Sequence, residues 1–103
     1  MSAVRYLCSD LVTLRIGAAE STVNLEEIGR DGAAIESEDP VADGVGVEVR
    51  CGSVFYSGKV TSVEQHEFGW RAEIEFSPLT PWSLEQFRPR HMLDQPSNQP
   101  GEI

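Results

Sequence analysis

A chain of 103 residues is the length of one domain, because two separate cores would each be too small to stand without metals or disulfides. Its hydrophobic fraction of 40% and charged fraction of 24% are those of a folded globular protein, which excludes the disordered and fibrous classes. The formal charge of −9 is unevenly placed: between Gly17 and Val49 nine acidic residues face a single base, Arg30, so this half repels polyanions and excludes DNA, RNA and anionic membranes as partners.

In chain order, the first strand is predicted over residues 7–16, where Val12, Leu14 and Ile16 alternate with Thr13 and Arg15. Residues 17–21 read as a turn. A second strand over 22–28 puts Val23 and Leu25 on one face, and Gly29 and Gly32 then bracket a charged pair, which predicts a tight connection exploiting the positive φ that glycine reaches freely. A short strand over 33–37 leads to an acidic surface loop over 38–44, closed by the turn pair Asp43-Gly44.

The fourth strand, 45–51, carries Val45, Val47, Val49 and Cys51 at period two. Cys51-Gly52-Ser53 is short enough to close a hairpin into a long strand over 54–64, with a bulge predicted at Gly58. Trp70, Ala72, Ile74 and Phe76 then alternate with Arg71, Glu73 and Glu75, the clearest period-two run in the chain. Six short strands in sequential order favour a small antiparallel all-β barrel over any α/β arrangement. Thr80 as a cap and Pro81 at the first position predict a short helix over 81–87, placing Trp82 as a lid over an open edge or end of the barrel. The domain is expected to end near residue 94, and residues 95–103, polar with two prolines and a glycine, are expected to be disordered.

No apolar run approaches the roughly 20 residues of a membrane-spanning helix, and the first ten residues lack the layout of a signal peptide, so a cytoplasmic location is expected. Cys8 and Cys51 have no CxxC pairing and no histidine at zinc spacing, and read as partly buried reduced thiols. His66 and His91 stand at no metal or triad spacing and read as solvated or helix-terminal histidines, His66 in a hairpin turn. Adjacent carboxylates such as Glu26 and Glu27 are expected on opposite faces of a strand, where they cannot share a proton. Motifs of phosphate loops, dinucleotide folds, zincins and hydrolase elbows are all missing, so neither enzyme activity, a metal nor a cofactor is expected.

The informative segment is 24–35: a strand, a glycine-pinned connection, and a second strand, trailed by the proline-and-glycine loop and a valine strand. With the Gly58-Lys59-Val60 strand and a later strand ending in Phe76, this layout over about residues 5–94 resembles the PilZ domain family, bacterial receptor modules for cyclic di-GMP. The family signature is Asp or Asn, any residue, Ser, two residues, Gly. Here Gly32 matches the glycine, Glu27 stands in place of Asp or Asn, and Gly29 stands in place of Ser. The family's second element, an N-terminal Arg, three residues, Arg, is represented by Arg5 alone, followed four residues later by Ser9. The loss of one charge-assisted arginine bond, worth on the order of 1.5 to 3 kcal/mol, and of a hydroxyl predicts binding weakened by roughly a hundredfold.

The resemblance therefore implies an adaptor in a cyclic di-GMP pathway that works by contact with a protein partner, nucleotide binding being weakened or lost. Its docking candidates are Trp82, Phe87, Arg88, Arg90 and His91, aromatic and arginine residues of the kind enriched at binding hot spots, with Met92 beside them. The alternative is a functional receptor whose atypical pocket uses Arg5, Glu27, Gly29, Arg30 and Gly32. A further alternative is a generic small barrel that binds a peptide or a basic partner through its acidic face.

Overall fold

The computed structural model describes residues 4–93. The expected tail over 95–103 and the boundary at 94 lie outside the described residues. Six strands form: β1 (Arg5–Ile16), β2 (Ala19–Gly29), β3 (Gly32–Ser37), β4 (Gly46–Cys51), β5 (Val54–His66) and β6 (Gly69–Phe76). All pair antiparallel, in the closed order β1-β2-β3-β6-β5-β4. Two three-stranded meanders are thus joined edge to edge. β3 lies beside β6, and β4 closes on β1 over Thr13 to Arg15, so the order is not sequential as expected. The 38–45 segment makes the crossover, Gly44 taking a φ of 85° and Val41 turning into the core.

The period-two residues fill the barrel. Leu25, Ile28, Ile35, Val49 and Val60 have no exposed surface, and Val12, Leu14, Val23, Ala72, Ile74 and Phe76 pack around them. Burying each large side chain stabilises the fold by roughly 1.5 to 3 kcal/mol. Tyr56 stacks on Phe76 at 5.0 Å, and its hydroxyl donates to Gln86 Oε1 at 3.1 Å. Trp70, expected inward, is only half-buried, since it sits at the mouth of the barrel opposite Ser37 and Gln65.

Bulges decide which residues face out. Strict alternation from Leu25 would point Glu27 inward, but a register shift between Leu25 and Glu27 sends Ile28 into the core instead. On β5 the shift lies between Val60 and Ser62, not at Gly58. Gly58 serves another purpose: a Cβ there would meet the Glu75 carbonyl oxygen at 2.5 Å. Gly29 and Gly32 likewise have no positive φ; the glycines that do are Gly17, Gly44 and Gly52. At Gly29 and Gly32 a side chain would collide with the Val4 and Ile74 carbonyl oxygens, so close backbone approach, and not turn geometry, requires glycine.

The described residues contain no helix, so the helix expected over 81–87 is not formed. The Ser83 carbonyl accepts bonds from the Gln86 and Phe87 amides, a single turn. The Trp82 indole donates to the Phe87 carbonyl at 2.9 Å, and Pro89 follows, so the coil is stopped after that turn. Trp82 is buried against Tyr6, 6.0 Å between ring centres, and closes the barrel end as the lid expected of it. Beyond it the chain runs back along β1: the Ser9 amide donates to the Arg90 carbonyl, and the Leu93 amide to the Leu7 carbonyl. This strap covers an edge of β1 that β4 does not reach.

Candidate functional site

The outer face of β1, β2, β3 and β6 brings together four of the residues singled out in the sequence: Arg5, Glu27, Gly29 and Gly32. Ala33 and Ile35 point into the core, which sends Ala34 outward. Glu27 and Glu73 flank Ala34 on either side across the ladder. Arg5 bridges them, Nη1 lying 3.4 Å from Glu27 Oε1 and 3.0 Å from Glu73 Oε1. Arg71 bridges them a second time through the other oxygens, Nη2 lying 3.4 Å from both Glu27 Oε2 and Glu73 Oε2. The result is a closed ring of two guanidiniums and two carboxylates over a methyl group. Ala34 retains no exposed surface beneath it.

Arg71 also donates to Glu26 Oε1 at 2.6 Å. Glu26 and Glu27 therefore meet on the same face, contrary to the expectation from a regular strand; the bulge between Leu25 and Glu27 removes the alternation that would separate them. Burial alone would lower the Arg71 pKa, but Glu27, Glu26 and Glu73 outweigh it and hold the guanidinium above its ordinary value. Burial, followed by hydrogen bonding with and repulsion from Glu36, pushes the Glu26 carboxyl above its ordinary range, against the pull of Arg71. Two guanidiniums thus stand among four carboxylates, and this face stays acidic.

The glycines shape the track in which Arg5 lies. A Cβ on Gly29 would come within 3.3 Å of Arg5 Cδ, and one on Gly32 within 3.1 Å of Arg5 Nη2. Both glycine positions thus accommodate the chain's own arginine. Arg71 and Glu73, which complete the ring, were not singled out in the sequence. Alternation marked both as outward-facing, but only the β3–β6 pairing shows that they meet Glu27 and Arg5.

Arg30 stands apart from the ring. It is exposed in the β2–β3 turn, its carbonyl accepts from the Trp82 amide, and it lines an open cleft of about 680 Å³ with Lys59, Glu75, Phe76 and Pro81. Of the docking candidates, Trp82 is buried and Phe87 is half-buried against the core, whereas Arg88, Arg90 and His91 are exposed. The Arg90 amide donates to an Asp10 carboxylate oxygen at 3.0 Å, and His91 takes a φ of 51°.

Cys8 and Cys51 are free thiols. Burial, aided by Asp10, pushes both up to about 12, which leaves them protonated and weakly nucleophilic at neutral pH. Burial, with Cys51 behind it, also pushes the Tyr56 hydroxyl up to about 12. His66 ends β5 on the surface. Among the described residues no group of three His, Cys, Asp or Glu could hold a metal ion, and no helix is long and apolar enough to cross a membrane. No family model matches the chain, and no curated protein matches it.

Proposed function

We propose that the chain is a PilZ-like adaptor module of a bacterial cyclic di-GMP pathway, cytoplasmic and non-enzymatic, that acts by contact with a protein and has lost nucleotide binding. The observation that carries this reading is the ring: Arg5, the arginine that the family resemblance assigns to phosphate, is engaged by Glu27 and Glu73 at 3.4 and 3.0 Å. A dianionic dinucleotide would have to displace both carboxylates from Arg5 and then lie beside them, the two held by Arg71 alone, and close to Glu26 and Glu36. Freed carboxylates near a phosphate repel it, and the broken arginine bonds are each worth about as much as the new ones. The exposed arginines of the strap, Arg88 and Arg90, supply hot-spot side chains for a protein partner.

Isothermal titration with cyclic di-GMP tests this directly. Silence at millimolar ligand is expected, together with capture of the partner that is indifferent to the nucleotide and weakened by Arg88→Ala or Arg90→Ala. Saturable heat that disappears in Arg5→Ala or Arg30→Ala would instead make the chain a receptor with an atypical pocket.

A further inference from the structure

The barrel is closed, yet several stretches of strand outrun a neighbour, and three of them are treated differently. The first, on β1, is covered by the strap through the Leu7 carbonyl and the Ser9 amide. The second, on β5 beyond Val60, is interrupted by the bulge before Ser62 and carries Glu64. Bulges and charges are devices that keep a strand edge from recruiting another chain. The third is the start of β2. It pairs with β1 from Ala19 to Val23, but its pairing with β3 begins only at Asn24. Over residues 19–23 it has no bulge and no proline, and a single charge, Glu20, which is drawn towards Arg50 at 3.9 Å. No strap crosses it among the described residues.

Beside this bare edge lies a groove of about 450 Å³, lined by Leu11, Thr22, Asn24, Glu36, Glu38 and Phe68 among others. Leu11 is 70% exposed and Phe68, at the tip of the β5–β6 hairpin, 86% exposed. Neither contributes to the core. The groove therefore offers the two components of strand addition: unpaired backbone groups along one wall and apolar side chains for anchoring. The charged residues that line it, Glu36 and Glu38, are both acidic, and the whole stretch from Gly17 to Val49 holds nine acids against one base.

We infer that this groove takes an extended, basic and apolar polypeptide segment, which adds as a strand to the Ala19 to Val23 edge of β2, buries an apolar side chain against Leu11 and Phe68, and places its lysines or arginines opposite Glu36 and Glu38. The inference deepens the reading of the chain as a protein-contact module and rests on it, while moving the contact from the strap to the free edge of β2. Charge complementarity selects a basic segment, since an acidic strand would meet carboxylates along its whole length.

A fluorescent ten-residue peptide alternating valine or leucine with lysine serves as the probe, with its glutamate counterpart and a backbone N-methylated version as controls. The lysine peptide is expected to bind saturably and more weakly at high salt, with amide shifts in nuclear magnetic resonance confined to residues 19–24, Leu11 and Phe68. Because both anchors are exposed, Leu11→Ser and Phe68→Ser leave the fold intact, and each is expected to weaken binding about tenfold or more. The glutamate and N-methylated peptides are expected not to bind. Absence of binding, equal binding of all three peptides, or shifts centred on Arg88 to His91 would overturn the groove while leaving the adaptor reading in place. Nucleotide binding in the parallel titration would remove that reading instead.

Discussion

Arg5 and Glu73 stand 68 positions apart in sequence and meet at 3.0 Å on the outside of the barrel. The contact ties the first strand to the last across β2 and β3, and with Arg71 it closes the ring over Ala34.

The Arg5–Glu73 pair is partly buried, at 22% and 33% side-chain exposure, so it retains some strength against solvent screening. A double-mutant cycle with Arg5→Gln and Glu73→Gln is expected to give a coupling of about 0.5 to 1 kcal/mol in urea denaturation, declining with added salt. Additive single effects would mean that Arg5 and Glu73 are not energetically coupled.

Glu26 titrates above its ordinary value of 4.5, through burial first and Glu36 second. A carboxyl raised in the folded state stabilises the fold while protonated, so its contribution is fully present below about 4.5 and is lost as pH rises through the folded value. Glu36→Gln removes the neighbouring charge and is expected to bring the Glu26 titration down, as read by carbon chemical shifts, and to recover part of that lost stability near neutral pH. A Glu26 titration unmoved by the substitution would contradict the assignment of cause.

Gly32→Ala forces a methyl group against the Ile74 carbonyl and the Arg5 guanidinium. It is expected to cost about 1 to 3 kcal/mol in thermal or chemical denaturation. Gly46→Ala is the control, because a Cβ there meets only the Gly58 carbonyl oxygen, at an ordinary 3.9 Å, and it is expected to be near neutral. Equal losses at the two positions would point to a general aversion of strands to substitution.

Cys8 and Cys51, pushed up to about 12 by burial and nearby carboxylates, are expected to react slowly with iodoacetamide in the native protein at pH 8 and rapidly in denaturant. Fast native labelling of either would show that the barrel wall around it opens readily.

Much of the barrel was legible before any coordinates. Val47, Val49, Ala72, Ile74 and Phe76 follow period two and face inward, because each strand buries one side only. Local signals marked every strand to within a few residues. What they do not contain is which strands become neighbours: β3 beside β6 and β4 beside β1 are long-range pairings, and the ring of Arg5, Glu27, Arg71 and Glu73 exists only because of the former. Bulges were equally hidden, since the shift after Leu25 depends on Ile28 finding space in the core and not on any residue type. The helix over 81–87 had sound capping residues, yet the Trp82 indole and a following proline outweighed them. Gly29 and Gly32 were recognised as necessary glycines for a different physical reason from the one that operates.

The central proposal, that the chain's own carboxylates engage Arg5 and leave no nucleotide site on this face, is tested most directly by following backbone amides during addition of cyclic di-GMP. The amides of Arg5, Glu27, Gly29, Gly32 and Arg71 should stay fixed up to millimolar nucleotide. Saturable shifts at those five positions at micromolar concentrations would contradict it.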